Sequence, residues 1–97
     1  MFHHIAMFRF RPEVPAETVG SIRERLLRLP ETIDSIREYQ VGRDLRLSDA
    51  TWDMVVVAGF EDEAGYRAYS THPDHVPIVD EIRGLVTDRA AVQSVEL

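Results

Sequence analysis

Apolar and polar positions alternate at period two over residues 2–10, the pattern of a strand with two distinct faces. His4, Ala6, Phe8 and Phe10 fall on one face, and His3, Ile5, Met7 and Arg9 on the other. Pro12 and Pro15 end the run, because proline has no N–H to give a sheet ladder. Pro15 suits the first turn of a helix. Val19, Ile22, Leu26 and Leu29 then form one apolar helical stripe. Glu24 and Arg28 lie off that stripe at the supportive i,i+4 spacing, and Pro30 closes the helix. Residues 36–44 alternate again, and Leu45 to Thr51 is a polar hairpin connection.

The stretch 52–60 is the most apolar in the chain. Trp52, Met54, Val56, Ala58 and Phe60 point one way, and Asp53, Val55, Val57 and Gly59 the other. Residues 61–70 read as a short helix with Ala64, Ala68 and Tyr69 turned inward. Thr71-His72-Pro73 interrupts it, since a residue before proline avoids the helical region. A second helical piece follows, with Pro77 in its first turn and Val76, Val79, Ile82 and Leu85 or Val86 inward. A last strand covers about 88–96, with Ala90, Val92 and Ser94 sharing a face.

Strand, helix, strand, strand, helix, strand is the order of an α+β, ferredoxin-like βαββαβ domain, here spanning residues 1–97. Its four-stranded antiparallel sheet carries helices on one side only. A sheet covered on one side should be polar on the other. Ile5, Met7, Val55 and Val57 nevertheless fall on the uncovered face of what would be the two central strands. Leaving four such side chains wet forgoes about 4–8 kcal/mol, comparable with the net stability of a small domain. A second copy stacked face to face covers them. The pattern therefore predicts a homodimer.

Composition narrows the partners. A chain of 97 residues is one domain with a thin stability margin. Its 17 acidic residues against 11 basic ones leave a formal charge of −6, which repels nucleic acid phosphate. Cysteine is absent, which excludes disulfides and thiolate metal sites and fits a reducing cytoplasm. No apolar run reaches the length of a signal-peptide core or a membrane span, so the expectation is a cytoplasmic protein without a membrane partner.

Three segments carry a resemblance when taken together: His4-Ile5-Ala6-Met7-Phe8-Arg9-Phe10-Arg11, Val41-Gly42-Arg43-Asp44, and Tyr69 followed by His72-Pro73-Asp74-His75-Val76. In this order and spacing the chain resembles the Dabb family, the stress-responsive dimeric α/β-barrel domains, over essentially its whole length. The resemblance implies a protomer whose sheet packs on a partner's sheet to form a dimeric α/β barrel. It also implies a functionally mixed family. One branch contains plant polyketide cyclases, which close a poly-β-keto chain by aldol condensation without metal or organic cofactor. Histidine and tyrosine side chains line their pocket between sheet and helices. Matched position by position, this implies catalytic parts for His75, Tyr69 and His4, with His72 beside them. The chain departs at Met54, where the cyclases place a further histidine, which speaks against that particular reaction and leaves the pocket in place.

The residue chemistry can be weighed separately. A neutral imidazole at His75 could take a proton from a carbon next to a carbonyl. The Tyr69 hydroxyl could hold the developing enolate oxygen. The plain alternative is structural, with His75 bridging the helix junction and Tyr69 a core aromatic. His4 shares its face with Phe8 and Phe10, where a lone histidine is more often a hydrogen-bonded core residue. Trp52, Met54, Phe8 and Val56 could line a cavity for an apolar ligand, or simply fill the core. His72 and His75 are three apart, but no second ligand cluster completes the four that a closed metal site needs. Arg43 and Asp44 read as a surface or intersubunit ion pair.

The expectation is thus a cofactor-independent, metal-free enzyme of cyclase or isomerase type. Its substrate would be a small apolar, carbonyl-containing, polyketide-like molecule. Two rivals stand beside it. One is a non-enzymatic, ligand-binding or stress-protective homodimer. The other, on fold analogy alone, is a cofactorless monooxygenase.

Overall fold

The computed structural model describes residues 1–97. Strand β1 (Phe2–Phe10) leads into helix α1 (Ala16–Leu27), and a 3-10 turn at Leu29–Glu31 follows. Strands β2 (Glu38–Arg43) and β3 (Met54–Phe60) form the hairpin. Helices α2 (Glu63–Ser70) and α3 (Val76–Arg83) come next, and strand β4 (Val86–Ser94) ends the fold. The sheet runs β2-β3-β1-β4 with every pairing antiparallel. This is the ferredoxin-like βαββαβ arrangement. The helices lie on one face, and the molecule's shortest dimension of 18 Å matches two layers, with the other sheet face open.

The core sits between sheet and helices. Ile22 and Leu26 of α1 pack with Phe60, Ala58, Val56 and Ala6, and Leu29 and Ile33 extend the cluster past the helix end. The open face follows from register. Ile5 stands between Val57 and Val92, and Met7 between Val55 and Ala90. These six side chains form an apolar patch across three strands, with Met7 38% and Val92 57% exposed in the protomer.

The structure corrects several sequence expectations. Helix α2 turns Tyr69 inward as expected, but sets Tyr66 beside it and leaves Ala64 and Ala68 in solvent. Two aromatic rings remove far more apolar area from water than two methyl groups, so the rings set the helix rotation. Ile78 takes the core position in α3 beside Ile82, and Val76 is exposed. Trp52 lies outside β3, whose ladder starts at Met54, so alternation does not carry back to it. The Asp53 carboxylate instead accepts the Phe10 N–H at 2.7 Å. Trp52 turns toward the open side, where the Arg9 guanidinium sits 4.6 Å from its ring centre. Arg43 and Asp44 do not pair: Arg43 donates to the Ala16 carbonyl, while Asp44 accepts from Thr51 and the Arg46 N–H. Glu24 and Arg28 form no ion pair, and the acid that braces α1 is Glu81, which reaches it from α3 through Arg25.

Candidate functional site

A cavity of about 370 Å³ opens between the helix-side face of β1 and β4 and the α2–α3 segment. Pockets that accept small organic molecules run from about 300 to 1,000 Å³, so it is large enough for one. Alternation along β1 delivers His4, Ala6 and Phe8 to its floor, and Val56 of β3 joins them. Helix α2 supplies Tyr66, Tyr69 and Ser70, and α3 supplies Val76, Val79 and Ile82. Arg89 of β4, directly across the ladder from Phe8, forms part of the wall.

His75 occupies the break between the two helices. Pro73 prevents α2 from continuing, and the His75 and Val76 N–H groups both close back on the His72 carbonyl. The turn delivers the His75 imidazole onto the Tyr69 ring, centroid to centroid 4.0 Å. His75 Nδ1 lies 3.2 Å from the Ser70 carbonyl oxygen. A carbonyl only accepts, so Nδ1 carries the proton and the Nε2 lone pair is left free. Burial holds the His75 pKa below the usual histidine value, with the Ser70 bond opposing and the His72 charge reinforcing the shift. The ring is neutral at pH 7.

His4 is 6% exposed and faces the Tyr66 ring at 5.0 Å. The Gln93 amide nitrogen donates to its Nδ1 at 3.2 Å, which puts the His4 proton on Nε2. Burial, with smaller contributions from the nearby Arg89 and His75, lowers its pKa to about 4. The two cavity histidines therefore present complementary edges, one a lone pair and the other an N–H.

The Tyr69 hydroxyl lies 2.8 Å from that of Tyr39 on β2. Burial pushes Tyr69 up to about 12, with the Tyr39 bond and the Arg89 charge pulling down. Tyr39 is pushed up further, again mainly by burial. Both hydroxyls are protonated at neutral pH.

Of the residues singled out in the sequence, His75, Tyr69, His4, Phe8 and Val56 line the cavity, whereas His72, Met54 and Trp52 do not. Met54 is fully packed beneath the sheet face. His72 turns its Nδ1 onto the Asp74 N–H at 3.0 Å, capping its own turn. Sequence reasoning missed Tyr39, Tyr66, Gln93 and Arg89. Tyr66 could have been found at i−3 from Tyr69 on the same helix face. The others reach the site only through strand pairing.

A family model for the stress-responsive A/B barrel domain, Dabb, matches residues 2–95. The chain belongs to the Dabb family. Among solved structures, a dimeric ferredoxin-like protein of unknown function from Thermobifida fusca is 38% identical, with a TM-score of 0.88 over 96% of this chain and 88% of that one. A dimeric protein of unknown function and ferredoxin-like fold from Bacteroides fragilis is 29% identical, TM-score 0.86, over 96% and 93%. A hydroxynitrile lyase from Passiflora edulis shares the fold at 14% identity, TM-score 0.84, over 96% and 90%. No curated protein sequence matches the chain. In this Dabb domain no helix is long and apolar enough to cross a membrane.

Proposed function

We propose that this Dabb protein is a cofactor-independent enzyme that removes a proton from the carbon beside a carbonyl in a small, largely apolar molecule. One observation carries the reading: the Ser70 carbonyl fixes the proton of His75 on Nδ1, leaving Nε2 free on the wall of a cavity shared with Tyr69 and His4. In the proposed step the Nε2 lone pair takes the C–H proton and the ring becomes imidazolium. The electron pair of that bond moves onto the carbonyl oxygen as an enolate. With Tyr39 donating to Tyr69, the Tyr69 O–H remains available to that oxygen, and the His4 Nε2–H is a second, neutral donor. The enolate carbon then attacks another carbonyl, or regains a proton at a different position, and His75 returns its proton to the product. Atoms and electrons balance without a redox partner.

The unit that acts is a homodimer. The apolar patch on the open sheet face supports this, as does the dimeric description of the two bacterial neighbours. A reducing compartment such as the cytoplasm suits a chain without cysteine.

The test is deuterium incorporation next to the carbonyl in a panel of aryl alkyl ketones, followed by NMR in heavy water. The wild type should accelerate exchange over buffer, and His75→Ala should lower the acceleration by about 100-fold or more. Exchange no faster than in buffer across the panel, or undiminished in His75→Ala, sinks the reading.

A further inference from the structure

The positive charges of this protein are all arginines, eleven of them, set in a chain of net charge −6. Almost every guanidinium has an evident partner. Arg11, Arg25, Arg37, Arg46, Arg67 and Arg83 face carboxylates. Arg23 and Arg43 donate to the backbone carbonyls of Val41 and Ala16, and Arg9 lies over Trp52. Two remain. Arg28 caps the C-terminal end of α1, where the helix dipole favours a cation. Arg89 has neither carboxylate nor carbonyl, and it is the one that stands on the cavity wall.

The surroundings of Arg89 give that placement meaning. The other charged groups on the wall are Asp80 and Arg83, which face each other at 3.5 Å and offset one another. The two cavity histidines are neutral at pH 7. The lining therefore carries about one uncompensated positive charge while the rest of the molecule repels anions. A guanidinium is a planar fork that matches a carboxylate with two parallel hydrogen bonds. Polyphosphates would call for several cations, and this wall offers one.

We infer that the molecule taken by this cavity is an enolisable ketone that also carries a carboxylate, with the carboxylate held by Arg89 and the ketone turned toward His75 and His4. This rests on the reading of the cavity given above and adds the charge of its ligand. Arg89 is then a specificity-determining residue, set on the cavity wall by its pairing with Phe8 and near enough for its charge to act on both His4 and Tyr69.

The experiment titrates the protein with β-benzoylpropionate and its methyl ester, and with the next shorter and longer keto acids and their esters. The ring signals of His4 and His75 are followed by NMR at constant ionic strength. Acids should bind about tenfold or more tightly than their esters. Arg89→Gln should erase that difference, Arg89→Lys should keep part of it, and Arg28→Gln should leave it intact. Arg89 is exposed on an edge strand, so the melting temperature of Arg89→Gln should match wild type and exclude a folding artefact. Equal binding of acid and ester, or a preference that survives Arg89→Gln, overturns the anionic ligand while leaving the cavity reading standing. If neither form moves the histidine signals at any length, the cavity reading fails and the ligand inference falls with it.

Discussion

The hydroxyl oxygens of Tyr39 and Tyr69 lie 2.8 Å apart, joining an edge strand to the short helix that borders the cavity. Tyr69 is buried and Tyr39 half-buried, so each hydroxyl gives the other a hydrogen-bond partner where water has little access. Their ring centres are 5.8 Å apart, edge to face, which adds a favourable aromatic contact.

Removing one hydroxyl should strand the other. Tyr39→Phe and Tyr69→Phe should each cost about 1–3 kcal/mol. The double variant should cost clearly less than the two losses added together, because no unpaired hydroxyl then remains. Urea denaturation of the four proteins measures the coupling, and strictly additive losses would contradict the bond.

The histidine tautomers are predicted to be opposite at pH 7. His75 should be protonated at Nδ1, held by the Ser70 carbonyl, and His4 at Nε2, set by Gln93. Long-range nitrogen–proton spectra of the rings distinguish the two forms. Gln93→Leu should release His4 into a tautomer mixture and leave His75 unchanged. A proton on Nε2 of His75 would remove its role as base.

Stability should fall in mild acid. The folded-state pKa of His4 is depressed from about 6.5 to about 4, so the unfolded chain takes up protons first. Its contribution is fully present above pH 6.5 and declines as pH falls toward 4, by up to about 3 kcal/mol. His75 acts in the same direction. Denaturation midpoints between pH 7 and 4.5 should show the slope, and His4→Gln should flatten it. The same neutral histidines predict a rate that is level above pH 6.5 and drops on the acid side. An unaltered slope in His4→Gln would refute the assignment.

The open sheet face is predicted to be the subunit contact. Val57→Glu places a charge among Ile5, Gln40 and Val92 and should dissociate or unfold the protein, as read by sedimentation. Glu24→Gln, exposed on α1 at the helix side, should leave the assembly intact. A Val57→Glu protein that remains dimeric with unchanged melting temperature would show that this face is not the contact.

Much of this molecule was legible in local pattern. Period two along β1 and β3 assigned both faces correctly, including His4 toward the helices and Val57 away from them. The 3.6-residue stripe of Ile22 and Leu26 located α1, and Pro73 marked the break that presents His75. These follow from the chain alone because strand alternation, helical spacing and proline's missing donor act between near neighbours.

Tertiary structure decided what depends on pairing between distant segments. Alternation failed at Trp52, because a residue beyond the last ladder bond is no longer bound to the pleat and can turn to a cation such as Arg9. In α2, Tyr66 rather than Ala64 and Ala68 joined Tyr69 on the inward side because a ring buries more area than a methyl group. Tyr39 meets Tyr69, Gln93 meets His4, and Arg89 reaches the cavity only because β2 and β4 lie where the β2-β3-β1-β4 order puts them. Those contacts span 30 and 89 residues, and no periodicity encodes a partner at that separation.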